Sequence, residues 1–575
     1  MRRRICNHVV NQFQSVKRRT VILLVSSMAI SFVFGLLLID LQTFLADETM
    51  YVYAGFAISR GEVPYRDIVL AQPPLMYLFY ALVISIGGNT LFAARFGFLI
   101  LHEANILLTF LLFKKLIKDD NAEEIAVGVA ILYAVFPGIW GLVYKRSNET
   151  LLILFTLLST YYFVDFLEGR SKLKLMISGV FGGMALMTKM LALFFLPLLF
   201  LFSVFGYILV YARKGKEGEN MFSRLTRCVK SLIQHSIGEA GIFLLGISVV
   251  PLMLLLWLQM QDALQNYYLQ TIYWQSIRLP HDLFERVLAI ENFLDRFLPL
   301  SPIAPITILG FFHTSRAAVH QKKAILALPV WIFLSNFLAM ALLLNRVFDQ
   351  HFLILMPFVL FLDVYGFLCI YQKIRSGLKA RSSGSRRLIL LIFLIISLFL
   401  PLLFSFRHDS SYLSYASSPN VYLKMNEEQP VFQSEVGNYI ESVTSGEDRI
   451  WVSDGAIAFF AQRLIVPANS SEWPWHSCFA AAIGYFLSPK GEVETGDGTL
   501  SVREFLEAWE EKHPRVIIIK RRAGRRPIDY YLWNGRPEFD DYEDSALLRT
   551  YVASAYNLNR TFQQDVLEYE VWVRN

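Results

Sequence analysis

Long apolar runs dominate residues 1–406 and cease beyond that point. Each run is long enough to cross a hydrocarbon core of roughly 30 Å. The pattern therefore predicts a polytopic α-helical membrane domain over residues 1–406, with about eleven spans. The predicted spans are 20–39, 91–113, 123–142, 149–168, 173–189, 190–211, 237–258, 299–313, 324–344, 351–372 and 388–406.

Residues 407–575 mix polar and apolar positions and are numerous enough to form one further domain. Arg449–Ser453 and Val516–Lys520 are typical of buried strands, and Val502–Lys512 has the pattern of an amphipathic helix. Tyr569–Arg574 alternates like a final edge strand. The order of these elements predicts an α/β domain.

The distribution of positive charge predicts the orientation in the membrane. With the N-terminus inside, the cytoplasmic loops hold 27 Lys and Arg residues against nine on the opposite side, residues 407–575 left aside. This count predicts a multi-pass protein of the cell membrane with a cytoplasmic N-terminus, external loops at 40–90 and 259–299, and an extracytoplasmic C-terminal domain. This distribution of Lys and Arg holds only if Pro73–Ile86 does not span the membrane. We therefore interpret that short segment as a juxtamembrane helix.

Composition excludes several classes of protein. A hydrophobic share of 55% and a mean hydropathy of +0.42 exclude a soluble enzyme of 575 residues. The cytoplasmic loops account for the net charge of +6, so membrane lipid is the predicted partner of these bases and nucleic acid is not. The sequence contains no Walker motif, Rossmann fingerprint or His/Cys metal cluster. It predicts no metal ligand and no certain cofactor, and leaves a divalent cation open.

The segment from Asp40 to Pro74 carries five carboxylates directly after the first apolar helix. Acidic residues cost free energy beside hydrocarbon, so their accumulation in a short loop indicates chemistry. Further motifs follow in order. They are Gln72-Pro73-Pro74, Arg95 within the second span, Ser147-Asn148-Glu149, Gly182-Gly183 leading to Thr188-Lys189, and Arg346 with His351 before a span that contains Pro357.

This series resembles the GT-C membrane glycosyltransferases, in particular protein O-mannosyltransferases and lipid A aminoarabinose transferases of the family 39 type. The resemblance covers most of the first 360 residues. It implies a GT-C fold and a hexosyl- or pentosyltransferase with inverting chemistry. The implied donor is a dolichyl- or undecaprenyl-phosphate sugar, and the implied acceptor is a hydroxyl of a protein or glycolipid at the external face.

The resemblance also implies roles for the acidic residues. Asp47 corresponds to the catalytic base and Glu48 to the second acid of the pair, although both residues also suit a simple helix cap. Asp67 either orients the acceptor or closes a turn. Gln72 departs from the basic residue or histidine that the families often carry before the double proline, and we place it beside the acceptor. Glu149 serves as a further carboxylate, a partner for Lys189 or a helix cap.

Four cations are implied to contact the phosphate of the donor, because fixed Arg and Lys side chains stabilise a departing phosphate. The alternative for each is an interfacial side chain that snorkels to lipid head groups. These residues are Arg95, Lys189, Arg346 and His351.

Two other functions compete with a single-sugar transferase. A lipid-linked sugar transporter or flippase shares the charged external residues, but such proteins usually show duplicated halves, and this sequence shows none. A polymerase or ligase of surface polysaccharide uses a lipid-linked oligosaccharide as its donor. The size of the donor separates this class from the first.

Overall fold

Helices make up most of the chain that the computed structural model describes. The described residues are 17–39, 46–117, 121–135, 148–201, 237–273, 286–287, 290–291, 304–320, 324–344, 349–377, 434–452, 455–465, 513–522, 530–531, 550–564 and 567–575.

The elements follow the apolar pattern of the sequence. In chain order, the α-helices are α1 (Arg18–Ile39), α2 (Ala46–Ser59), α3 (Pro74–Gly87), α4 (Leu91–Leu116), α5 (Ala122–Val135), α6 (Asn148–Gly169), α7 (Lys172–Thr188), α8 (Ile237–Met260), α9 (Leu264–Tyr267), α10 (Ala304–His320), α11 (Ala327–Leu343), α12 (Met356–Gly377) and α13 (Gly455–Phe460). The strands are β1 (Arg449–Val452), β2 (Leu464–Ile465), β3 (Val516–Arg522), β4 (Tyr530–Tyr531), β5 (Tyr556–Gln564) and β6 (Leu567–Arg574). Short 3-10 helices lie at Met190–Phe194, Ala324–Leu326 and Asp349–Ile354, and a π-helix lies at Tyr268–Tyr273.

Within the described residues, four helices are long and apolar enough to cross a membrane. They are α1, α4, α6 and α8, and each forms where a span was predicted. Shorter helices occupy described parts of the predicted spans at 123–142, 173–189, 190–211, 299–313, 324–344 and 351–372. The predicted span at 388–406 lies outside the described residues, so the number eleven stays a prediction.

The chain divides into two compact units. The first consists of Met1–Asp40, Arg95–Met253 and Pro280–Pro419. The second consists of Leu41–Ala94, Leu254–Leu279 and Asn420–Asn575, so parts of both predicted external loops group with the C-terminal residues. The extracytoplasmic location of that group stays a prediction.

Close helix packing in the first unit depends on small residues. Ser159 of α6 and Ser178 of α7 each donate a hydroxyl hydrogen bond to the other's carbonyl, at 2.9 and 2.7 Å. Gly179 and Gly183 of α7 stand four residues apart and face α8, where a Cβ at Gly179 would lie 2.9 Å from the Cα of Gly246. Such small-residue spacing lets two membrane helices approach until their backbones touch.

The second unit contains a sheet of order β2-β1-β3-β6-β5, with β4 paired to β3. β1 pairs in parallel with β2 and β3, whereas β6 runs antiparallel to β3 and β5. Ile450, Trp451, Val516, Ile517 and Ile518 are all buried, which accounts for the continuous apolar runs of β1 and β3.

The prediction of a final edge strand is wrong. β6 covers the predicted segment but lies inside the sheet, between β3 and β5. Alternation reports that one face of a strand is buried, and it says nothing about how many strands flank it. The hairpin that joins β5 to β6 supplies the additional neighbour. The predicted helix at Val502–Lys512 lies outside the described residues.

We predict that Gly179→Val lowers the thermal unfolding temperature in detergent. The new side chain would collide with the carbonyl oxygen of Phe243 in α8, and overpacking of this kind costs roughly 1–3 kcal/mol. Gly241→Val is the matched control, because no described atom lies within 4 Å of a Cβ at that glycine. Equal unfolding temperatures for the two variants would contradict the close approach of α7 and α8.

Candidate functional site

The predicted acidic pair lies in the first turn of α2. Asp47 and Glu48 follow the first residue of this helix, where the helix dipole stabilises negative charge. Glu48 is buried, with 2% of its surface exposed, while the side chain of Asp47 is outside the described part. Both interpretations of the pair, a helix-capping role and a catalytic one, stay predictions.

Packing within the second unit holds α2 on two sides. A Cβ at Gly55 would lie 2.5 Å from the Cβ of Tyr80, so α2 meets α3 at backbone distance. The rings of Phe56 and Phe459 meet edge to face, with centroids 6.1 Å apart, and bring α2 against α13. The helix that carries the acidic pair is therefore supported by the same group of residues that contains the sheet.

An ion pair adds to this support. A guanidinium nitrogen of Arg449 in β1 donates to Glu62, just beyond α2, at 2.6 Å. Glu62 is more buried than Arg449, with side-chain exposures of 11% and 33%. The contact joins positions 387 residues apart in sequence.

Asp67 closes the turn that follows α2. One carboxylate oxygen accepts a hydrogen bond from the backbone N–H of Val63 at 2.8 Å. Both oxygens also accept from the guanidinium of Arg66, at 2.9 Å each, and this hydrogen bonding raises the pKa of Arg66. Of the two predicted roles for Asp67, turn closure is visible in these contacts, and orientation of an acceptor stays a prediction.

Two tyrosines fix the backbone of Gln72. The hydroxyl of Tyr65 donates to the carbonyl oxygen of Gln72 at 2.7 Å, and the N–H of Gln72 donates to the hydroxyl of Tyr77 at 3.2 Å. Burial raises the pKa of Tyr65 well above its ordinary value, so the phenol remains a donor. Both backbone groups of Gln72 are thus engaged, and its half-buried side chain makes no hydrogen bond with a described residue.

In the first unit, Arg95 lies near the beginning of α4 with only 4% of its surface exposed. Its guanidinium donates to the carbonyl oxygen of Ile39, the last residue of α1, at 2.6 Å. A cation at the C-terminal end of a helix is favoured by the dipole. Arg95 is therefore buried against protein, which differs from a side chain that snorkels into head groups.

Glu149 and Lys189 form a buried ion pair in the first unit. Glu149 lies in the first turn of α6 with no exposed surface, and Lys189 is 7% exposed. The backbone of Lys189 is extended, with φ −158° and ψ 138°, between α7 and the 3-10 helix that starts at Met190. The structure thus brings together two predicted site residues. Pairing with Lys189 was one of the three roles considered for Glu149.

The remaining predicted cations are less defined. His351 is half-buried in the 3-10 helix Asp349–Ile354, and Arg346 lies outside the described residues. Among the residues the structure describes, no three His, Cys, Asp or Glu side chains group closely enough to hold a metal ion. The roles of Arg346 and His351 at a donor phosphate stay predictions.

Sequence reasoning missed Gln270, which is fully buried in the π-helix Tyr268–Tyr273. Its side chain hydrogen-bonds the backbone of the turn that contains Tyr65. The signal lay in the spacing of Tyr267, Gln270 and Thr271, which places three buried residues on one helical face.

Comparisons with known proteins agree with this architecture. Residues 71–214 match the family model described as dolichyl-phosphate-mannose-protein mannosyltransferase. No curated protein sequence matches significantly. The crystal structure of ArnT from Cupriavidus metallidurans bound to undecaprenyl phosphate is 12% identical, with a TM-score of 0.56, and the match covers 96% of this chain and 97% of that one.

Two further structures are similar. The apo form of the same ArnT is 13% identical with a TM-score of 0.54, over 96% of this chain and 97% of that chain. The oligosaccharyltransferase AglB from Archaeoglobus fulgidus is 10% identical with a TM-score of 0.48, over 87% of this chain and 69% of that chain. The chain thus has the fold of the ArnT structures, and its predicted similarity to GT-C membrane glycosyltransferases is confirmed.

We predict that Glu149→Gln and Lys189→Met each lower the unfolding temperature. Either change removes the opposite charge from a buried ion, and breaking such a pair costs roughly 3–5 kcal/mol. The double variant should recover much of the loss, because neither charge remains. Lys172→Met is the control, since Lys172 is exposed on α7. A double variant less stable than both single variants would refute the pairing.

A double-mutant cycle on Glu62→Ala and Arg449→Ala should give a favourable coupling of about 1 kcal/mol, the upper value for a partly exposed ion pair. The quantity to measure is the free energy of unfolding of the C-terminal sheet in each variant. Additive effects would show that the pair contributes no interaction energy.

Proposed function

We propose that this protein is a glycosyltransferase that moves a sugar from a polyprenyl-phosphate donor to an acceptor hydroxyl at the external face of the cell membrane. The observation that carries the proposal is the buried acid of the Asp47–Glu48 pair, at the start of a helix that follows the first membrane helix in a chain with the ArnT fold. The match of residues 71–214 to the mannosyltransferase family model supports the same class of reaction.

In the proposed reaction, Asp47 accepts the proton of the acceptor hydroxyl as general base. The acceptor oxygen forms a bond to the anomeric carbon of the sugar. The bond from that carbon to the phosphate oxygen breaks, and its electron pair stays on the polyprenyl phosphate. Inversion at the anomeric carbon is implied by the family resemblance.

Arg95 and Lys189 are proposed to stabilise the phosphate that departs. Lys189 donates one of the three N–H groups of its ammonium to Glu149, so the pair leaves further donors for a phosphate oxygen. Glu149 then holds the lysine in place. His351 and Arg346 are proposed as additional contacts to the donor phosphate, and Glu48 as the acid that supports the base.

The undecaprenyl phosphate named with the ArnT structure supports a polyprenyl carrier for this protein as well. The sugar, the length of the prenyl chain and the choice of protein or glycolipid as acceptor are open parts of the proposal. The orientation proposed is a cytoplasmic N-terminus and an external C-terminal sheet, as the charge distribution predicts.

We predict that Asp47→Asn lowers sugar transfer by at least about 100-fold, the smaller effect typical of losing a general base. Purified protein in detergent is supplied with radiolabelled polyprenyl-phosphate monosaccharides, and sugar release is measured. Asp262→Asn is the control, because Asp262 is an exposed carboxylate of the external segment and has no proposed catalytic role. Correct folding of both variants is checked by thermal unfolding.

Two results would replace the proposal. If the wild type consumes no lipid-phosphate sugar and moves a lipid-linked sugar across liposomes, the protein is a transporter. If it consumes lipid-linked oligosaccharides and no single-sugar donor, it is a polymerase or ligase.

A further inference from the structure

Gln270 connects two stretches of the second unit that are far apart in sequence. Its side-chain oxygen accepts a hydrogen bond from the N–H of Leu70 at 2.9 Å, and its side-chain nitrogen donates to the carbonyl oxygen of Tyr65 at 3.0 Å. The residue has no exposed surface. The oxygen and the nitrogen of one buried side-chain amide thus both hydrogen-bond the backbone of a single turn.

This turn needs such support because its conformation is unfavourable. Tyr65 has φ of 67°, in the left-handed region that a bulky side chain rarely adopts. Its N–H donates to the carbonyl of Ile68 at 2.8 Å, and its ring meets Tyr267 edge to face with centroids 5.1 Å apart. The segment Leu264–Tyr273 therefore contacts the turn through both an aromatic ring and the amide of Gln270.

The conformation of the turn determines the placement of Gln72. Gln270 donates to the backbone carbonyl of Tyr65. The side-chain hydroxyl of Tyr65 in turn donates to the backbone carbonyl of Gln72 at 2.7 Å. The contacts therefore run from Gln270 to Tyr65 and from Tyr65 to Gln72. The side chain of Gln72 has one donor group and one acceptor oxygen, which suits a hydroxyl better than a phosphate.

We propose that Gln270 is a positioning residue, which fixes the turn from Tyr65 to Leu70 and thereby presents the amide of Gln72 to a substrate hydroxyl. The proposal deepens the glycosyltransferase function and rests on it for its substrate. The hydroxyl belongs either to the donor sugar or to the acceptor. Gln270 itself touches no substrate.

The first experiment is independent of activity. In full-length protein, hydrogen exchange is followed by mass spectrometry for peptides that cover residues 63–72. Gln270→Met removes both hydrogen bonds, and we expect exchange there to accelerate roughly tenfold or more. Gln265→Met is the matched control, because Gln265 is exposed in α9. Unchanged exchange in Gln270→Met overturns the proposal.

A second variant covers the case in which Gln270→Met does not fold. Gln270→Glu keeps the shape of the side chain, and its protonated carboxyl both donates and accepts. Its ionised form cannot donate to the carbonyl of Tyr65. The quantity to compare is the protection factor, the intrinsic exchange rate of an amide divided by its observed rate. For residues 63–72 of Gln270→Glu, this factor should be near the wild-type value at low pH and fall as pH rises. In the wild type it should stay constant. If the protection factors of the two proteins follow the same dependence on pH, the proposal is overturned.

The kinetic experiment tests the link to Gln72. Gln270→Met and Gln72→Leu should each raise the KM of the same substrate about tenfold or more, the size expected from one lost polar contact. The combined variant should be no worse than Gln72→Leu alone, since both changes remove one interaction. Strictly additive losses contradict a positioning role. A KM effect on the lipid-linked donor assigns the hydroxyl to the sugar, and an effect on the other substrate assigns it to the acceptor.

The two failures are distinguishable. If exchange responds to Gln270→Met but the wild type transfers no sugar, the glycosyltransferase function fails and only the hold on the turn stands. If the wild type transfers sugar and Gln270→Met leaves KM and kcat unchanged, the positioning role fails and the function stands.

Discussion

A charged side chain that leaves water needs a partner of opposite charge, and two groups of buried ionisable residues in the first unit meet this requirement. Glu149 and Lys189 are both buried and pair with each other. Asp165 of α6 is likewise buried and contacts Lys115 of α4 and Lys174 of α7. In a low dielectric the desolvation cost of each ion is recovered only through such contacts. The ion pairs therefore join α6 to α4, to α7 and to the segment that follows α7.

The same requirement applies to backbone groups in the second unit. The turn from Val63 to Leu70 has little regular structure, yet most of it is buried. Its N–H and carbonyl groups must find partners, and side chains supply them. Asp67 accepts from Val63, and Gln270 bonds Tyr65 and Leu70. Polar residues that look like candidates for chemistry thus also maintain the shape of the loop.

Sequence patterns predicted the helices better than the contacts. Apolar length alone located α1, α4, α6 and α8, since a membrane span must satisfy its own backbone over a fixed thickness. The proximity of Glu149 to Lys189 was one of several options, because two isolated charges in sequence do not report which partner each meets. Gln270 was missed because polar residues are not counted as a buried face, although Gln270 shares a helical spacing with Tyr267 and Thr271. The position of β6 depended on pairing with β3 and β5, which alternation does not encode.

The ion pair from Glu62 to Arg449 has a consequence for the timing of biosynthesis. Glu62 leaves the ribosome 387 residues before its partner, an interval of roughly 20–80 s at ordinary translation rates. During that interval α2 has neither Arg449 nor Phe459 to pack against. The acidic helix therefore reaches its final support only after translation of the sheet has begun. A chain interrupted between these points carries the acidic pair without the contacts that hold it.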